Sequence, residues 1–247
     1  MYKTASAGHI ASSLSAMDML VYLFFEQMHD DDLFILSKGH AAAALYTVLA
    51  KSGRMPEEML GAFYREGTSL AAHPPCNGLI KEIPFGTGSL GHGLPLATGF
   101  AFSQKYTSKK RRVYCLMSDG DCNEGATWEA ALFAAQHKLD NLVAIVDYNM
   151  LQAFGYGRDV IDLEPLVNKF EAFGFRTIYV ETGNNFESLC NAFEQIELTP
   201  VNRPTCIITK TVKGSGISFM EDKLEWHYLP MSDEQYQQAI EEIEQYA

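Results

Sequence analysis

The segment Ser118-Asp119-Gly120-Asp121-Cys122-Asn123-Glu124-Gly125 directly follows an apolar run, Val113 to Met117. With that run as a buried strand and a helix behind it, Asp119 stands at the carboxyl end of the strand, where open α/β sheets bind ligands. Gly120 lets a ligand approach the backbone closely. A second apolar run, Leu142 to Asp147, ends at Asp147-Tyr148-Asn149, which places Asn149 thirty residues after Asp119. That spacing is one strand–helix–strand unit, so both residues fall on neighbouring strand ends at one rim. A carboxylate and an amide oxygen form part of an octahedral Mg²⁺ shell that phosphate oxygens and water complete. Asp and Asn also cap helices and turns at such positions, and spacing alone leaves both readings open.

The elements that must position this rim are legible in the pattern. Strands are expected at Asp32–Leu36, Val113–Met117, Leu142–Asp147, Arg176–Val180 and Thr205–Lys210. Helical spacing of apolar residues runs over Ala11–Gln27, His40–Ala50, Thr127–Lys138 and Phe186–Ile196. A further helix is expected to start at Pro56, with two Glu behind it. A last one follows Ser232, capped by Gln235, with Tyr236, Ile240, Ile243 and Tyr246 as its stripe. Strands apolar throughout and separated by helices imply a mostly parallel central sheet with helices on both faces. Between Ala71 and Gly93 three prolines and five glycines mark a long ordered loop, the kind that carries function. No repeat, low-complexity tract or linker divides the chain, so residues 1–247 read as a single domain.

Composition narrows the function classes. The 247 residues carry 19 basic and 31 acidic side chains, a net charge of -12 in which nothing favours a nucleic-acid partner. An anionic ligand needs a local reversal of field from a metal ion, helix N-termini or placed Lys and His. No apolar run approaches the ~20 residues of a membrane span, and no secretory signal is evident. Five cysteines with no C-x-x-C spacing read as reduced, mostly buried thiols of a cytoplasmic protein. Gly86-Thr87-Gly88-Ser89-Leu90-Gly91 fits G-x-G-x-x-G. Pro84 spoils the strand a dinucleotide site needs, and the stretch Tyr106 to Arg112 is basic where an acid is required.

The run from Asp119 to Asn149, with Trp128-Glu129-Ala130-Ala131, Lys138-Leu139-Asp140-Asn141-Leu142 and Asp147-Tyr148-Asn149, resembles the transketolase family of thiamine diphosphate enzymes. Ser118 replaces the first Gly of the family's G-D-G motif. The likeness extends from Ala7-Gly8-His9 to about His227 and is similar in extent to the separate N-terminal subunit of split, two-chain transketolases. It implies a thiamine diphosphate-binding fold of the diphosphate-binding (PP) type. It implies Mg²⁺ held by Asp119, Asn149 and the carbonyl of Leu151. Gly120, His40, Gly88, Leu90 and Lys213 then contact the cofactor, as does Asn149 through the metal. His9, His73 and His227 face the ketose hydroxyls and relay protons, and Glu124 supports the activating glutamate of the other half from the subunit interface. His29 and His137 match nothing and read as packed or capped histidines.

The resemblance also implies what lies elsewhere. The activating glutamate belongs to a pyrimidine-binding domain, expected here on a partner chain, a C-terminal transketolase subunit, in an α2β2 assembly. The implied reaction transfers a two-carbon ketol unit from a ketose to an aldehyde acceptor. The family usually has another helix before Gly8-His9, which implies a trimmed start. Tyr228 stands where Gly is common, His92 where Gln is frequent and Ser215 where a basic residue is frequent, so the sugars are expected to be specialised. Two other readings remain at this point: the α-subunit of a 2-oxo acid dehydrogenase, and a non-catalytic cofactor-binding scaffold.

Overall fold

The computed structural model describes residues 1–76, 78–107 and 111–245. Tyr246 of the C-terminal stripe, residue 77 of the long loop and residues 108–110 of the basic stretch lie outside them. Five strands form one parallel sheet: β1 (Leu33–Leu36), β2 (Val113–Ser118), β3 (Leu142–Tyr148), β6 (Arg176–Val180) and β7 (Thr205–Lys210), in the order β1-β2-β3-β7-β6. Two short strands, β4 (Leu151–Gln152) and β5 (Gly155–Tyr156), make a separate antiparallel hairpin immediately after Asn149.

The sheet is covered on both faces, as expected from strands that lack a polar side. Alternate residues of one strand serve different cores. Tyr114 and Leu116 of β2 join Val143, Ile145 and Ile207 on one face, while Val113, Cys115 and Met117 join Ala144, Val146 and Ile208 on the other. The first face is packed by α2 (Ile10–Tyr22), α3 (Ala42–Lys51) and α8 (Phe186–Leu198). The second is packed by α4 (Gly93–Lys105), α5 (Gly125–Gln136) and α7 (Leu166–Ala172). Short helices α1 (Tyr2–Ala5) and α6 (Gly157–Val160) and the capped terminal α9 (Asp233–Glu244) complete the described chain. The chain steps outward from β1 to β3, on to the edge strand β6, then turns back to insert β7 beside β3. Connections leaving β3 and β7 therefore diverge, which opens a crevice at their carboxyl ends.

Several elements differ from the sequence expectation. The first long helix ends in a π-helical turn, Leu23–Gln27. The helix expected from Pro56 is a 3₁₀ segment, Glu57–Ala62. None of its side chains is fully buried, and the partial packing of Met59 and Leu60 against the core is too little to support a longer α-helix. Helices α4 and α7 were not legible. All five cysteines are free thiols, with Cys115, Cys122 and Cys206 buried, Cys190 partly covered and Cys76 exposed. Among the described residues no helix is long and apolar enough to cross a membrane.

Candidate functional site

The carboxyl ends of β1, β2, β3 and β7 and the first turn of α2 surround a cavity of about 310 Å³. Asp119 and Gly120 reach it from the end of β2, Asn149 and Leu151 from the end of β3, His40 from the turn after β1, and Lys213 from the segment after β7. Leu90 enters from the long loop and His227 from a 3₁₀ turn, Leu224–His227. Clefts of about 580 and 550 Å³ open around Asp32 and Arg111 near the amino end of β1 and gather none of these residues, whereas one of about 530 Å³, lined by Tyr148, Tyr156 and Leu163, also reaches Asp119.

Asp119 is 4% exposed. Its Oδ1 accepts the Gly120 N–H at 2.8 Å, whereas its Oδ2 is buried with no hydrogen-bond partner. Burial, followed by the charge of Asp147, pushes its carboxyl up to about 6. An unpartnered buried carboxylate oxygen is costly, and a cation is the group that would satisfy it. Asn149 Oδ1 accepts the Leu151 N–H at 3.2 Å, and the Leu151 carbonyl accepts from Lys213 Nζ at 2.6 Å; each oxygen keeps a further lone pair. Among the described residues no three His, Cys, Asp or Glu side chains gather as a metal site. A cation here takes one carboxylate, one amide and one carbonyl, and its remaining positions suit phosphate oxygens and water, the habit of Mg²⁺. The residues thus fit Mg²⁺ bound together with a diphosphate.

Three histidines crowd the same space. The rings of His9 and His40 lie 5.4 Å apart, His9 and His227 5.0 Å, and His40 and His227 6.0 Å. His9 begins α2 in a left-handed conformation (φ 71°), uncommon for a residue with a side chain, and its N–H donates to the His227 carbonyl at 3.2 Å. Burial and the nearby lysines keep all three rings neutral: His40 well below its ordinary value, His9 lowered, and His227 lowered to about 3. Lys213 is 2% exposed, and burial lowers it to about 8, so it remains an ammonium at neutral pH. It donates to His227 Nδ1 at 2.8 Å, which places the proton of neutral His227 on Nε2.

Other expected residues surround this centre. His73 is open to solvent beside Gly88, close enough that its charge would act on His9, and partial burial lowers its pKa. Gly88, expected to contact the cofactor, is not among the residues that line the cavity. A side chain on Gly39 would meet the Gly88 nitrogen and the Thr87 carbonyl at 2.9 Å, so the turn bearing His40 lies directly on the glycine loop. Leu90 reaches over Gly120. Glu124 stands exposed at the cavity rim, its Cβ over Gly91.

Sequence reasoning missed the frame that holds these parts. Lys38, 1% exposed, pairs with Asp147, also 1% exposed, and donates to the Ser12 carbonyl at 2.9 Å. Asp147 also accepts from Ser15 Oγ at 2.6 Å and from Thr211 Oγ1. The lysine holds its carboxyl low against the opposing effect of burial. Asp121 is the second node: its Oδ1 accepts from Ser37 Oγ at 2.6 Å and the Gly91 N–H at 2.7 Å, its Oδ2 from the Ser118 N–H at 2.8 Å. Lys38 and Asp147 were visible as charges at the ends of apolar runs, a signal that a buried partner existed without saying which.

Comparison with known proteins agrees with this geometry. The family model "Transketolase, thiamine diphosphate binding domain" matches residues 2–244. The chain is 38% identical to one subunit of the apulose-4-phosphate transketolase of Actinobacillus succinogenes, with 96% of this chain and 88% of that protein covered. It is 41% identical to mouse transketolase over 97% of this chain but only 39% of that protein. Among solved structures, transketolase from Campylobacter jejuni superposes with a TM-score of 0.84 at 29% identity, covering 96% of this chain and 39% of that one. Transketolase from Leishmania mexicana gives a TM-score of 0.86 at 25% identity, covering 95% and 38%. The chain spans about two-fifths of the single-chain transketolases and most of the Actinobacillus protein. By its sequence, its fold and the residues gathered at its strand ends, the chain belongs to the transketolase family and carries that family's thiamine diphosphate-binding domain.

Proposed function

We propose that this chain is the diphosphate-binding subunit of a two-chain, Mg²⁺-dependent transketolase that transfers a two-carbon ketol unit from a ketose to an aldehyde acceptor. The observation that carries the reading is the unpartnered Asp119 Oδ2 beside Asn149, in a cavity that also holds a buried ammonium and three neutral histidines. Relatives of nearly the same length are named as subunits, one of an apulose-4-phosphate transketolase and one of a 6-deoxy-6-sulfo-D-fructose transketolase. These names support a partner chain, which in this reading brings the pyrimidine-binding domain, in an α2β2 assembly. Five unpaired cysteines suit a reducing compartment, the cytoplasm.

Thiamine diphosphate, when bound, supplies the reactive carbon and electron sink for breaking and forming the carbon–carbon bond. The chain's residues supply placement and proton transfer. Asp119, Asn149 and the Leu151 carbonyl hold Mg²⁺, and Lys213 adds a positive charge for the diphosphate. His227 offers its Nε2 proton to a sugar hydroxyl or carbonyl oxygen. His9, whose Nδ1 is buried without a partner, provides a second site to accept or donate, with His73 behind it. His40 orients the diphosphate end, and Glu124 meets the partner.

Native mass spectrometry of the tagged chain drawn from its source cells tests the reading. The expected species contains two unlike chains, two copies each, with added mass for thiamine diphosphate and Mg²⁺, and it turns over ketose and aldehyde. A lone chain that fails to take up added cofactor and Mg²⁺ refutes it.

A further inference from the structure

Asn149 has two ends, an oxygen that can meet a cation and an NH₂ group that repels one. Nothing in the amide itself selects between them. In the structure its Nδ2 faces Asp147 Oδ1 at 3.5 Å, and its Oδ1 accepts the Leu151 N–H at 3.2 Å. Asp147 can only accept, because its two oxygens already receive Ser15 Oγ, Thr211 Oγ1 and the Lys38 ammonium. Both members of the Lys38–Asp147 pair are buried, and the groups that donate to Asp147 come from α2, from the turn after β1 and from the segment after β7.

We propose that the buried Lys38–Asp147 ion pair is a positioning device that turns the Asn149 amide so that its oxygen, and not its NH₂ group, faces the cation position beside Asp119. The inference rests on the proposed role of Asp119 and Asn149 as cation ligands. Charged groups behind a metal ligand commonly set its orientation in this way, at a cost of about 10- to 100-fold in metal affinity when removed. A buried pair that is broken on one side leaves an uncompensated charge, so both partners must be replaced together.

The test is a sign reversal, read with Mn²⁺ as a paramagnetic probe of the site in the full chain with its companion chain and thiamine diphosphate present, and with Mg²⁺ as competitor. Replacing the pair (Lys38→Met with Asp147→Leu), which removes the acceptor as well as both charges, is expected to weaken Mn²⁺ binding about 10- to 100-fold. Asn149→Asp alone is expected to weaken it at least tenfold, because one carboxylate then faces another. Asn149→Asp added to the pair replacement is expected to restore at least tenfold, because a carboxylate presents oxygen whichever way it turns. A purely structural role for the pair predicts no such reversal. An effect of Asn149→Asp in the same direction in both backgrounds, or a pair replacement that binds Mn²⁺ as the wild type does, overturns the proposal. If the pair replacement does not fold, Asn149→Asp alone decides: tighter Mn²⁺ binding, the ordinary consequence of an added ligand charge, overturns it. A wild-type complex that binds no Mn²⁺ overturns the ligand assignment as well, which separates the two failures.

Discussion

Asp119→Asn should stabilise the ligand-free chain and end its metal-dependent cofactor binding. The carboxyl of Asp119 is raised from 3.8 to about 6 by burial and by Asp147. Between those values the folded state binds more protons than the unfolded chain, so this group's contribution to stability falls as pH rises and its full cost stands above about pH 6. Two pKa units correspond to ~3 kcal/mol, the limit for removing the charge. The new Asn brings a buried NH₂ donor to the place of the unpartnered Oδ2, which returns ~1 kcal/mol. The net gain of ~2 kcal/mol raises the melting temperature by roughly 4–8 °C for a chain of this length. The assay is thermal unfolding of variant and wild type from pH 4 to 8 after chelation of metal and removal of cofactor. By the same figures the variant should be slightly less stable than the wild type near pH 4, overtake it as pH rises, and reach its full advantage above about pH 6. With Mg²⁺ and thiamine diphosphate at about 100 times their dissociation constants the wild type gains ~2.7 kcal/mol and the variant gains nothing, so the order reverses. A variant less stable than the wild type at pH 7.5 without metal, or a difference independent of pH, refutes the reasoning.

Other outcomes follow from the same geometry. Lys213→Met should lower thiamine diphosphate affinity roughly 10- to 100-fold, the loss of one charge-assisted contact, measured by fluorescence titration of the assembled enzyme. Wild-type affinity should itself fall as pH rises above about 8, where free Lys213 loses the proton that a diphosphate recruits; a flat profile from pH 7 to 10 removes Lys213 from the site. His227→Gln should lower turnover about 10²- to 10⁴-fold while leaving cofactor affinity within a few-fold, since it supplies a proton rather than charge. Gly93→Ala should cost at least ~3 kcal/mol in thermal unfolding, because its new carbon would lie 2.2 Å from Ser37 Cβ and 2.6 Å from Ser37 Cα.

The sheet was legible because its strands repeat one signal: short, wholly apolar runs with helical spacing between them. Helix α4 was not. It opens Gly93-Leu94-Pro95 straight from a glycine-rich loop and continues through Ala97, Gly99 and Ala101, so small residues stand where an apolar stripe is normally read. Its burial against α5 and β2 supplies what its propensity lacks. At the site, Asp119, Asn149, Lys213 and the histidines were read through resemblance, because no local spacing links His9 to His227. The Lys38–Asp147 pair escaped because its members are 109 positions apart and each is an isolated charge in its own segment. Sequence shows that such a charge needs a partner, and only the closed sheet says which.

That distance has a kinetic consequence. Asp147 draws on residues from Ser15 to Thr211, and Asp121 ties Ser37 to Ser118 and Gly91. No half of the chain contains a binding centre that could form early from local contacts. Loops of a hundred residues must close first, and such closures are the slow part of folding. The binding centre therefore comes into being with the last long-range contacts, and a nascent chain short of β7 lacks Lys213 and Thr211 altogether. A ligand that binds only the closed site stabilises chains whose whole sheet is in register, by mass action.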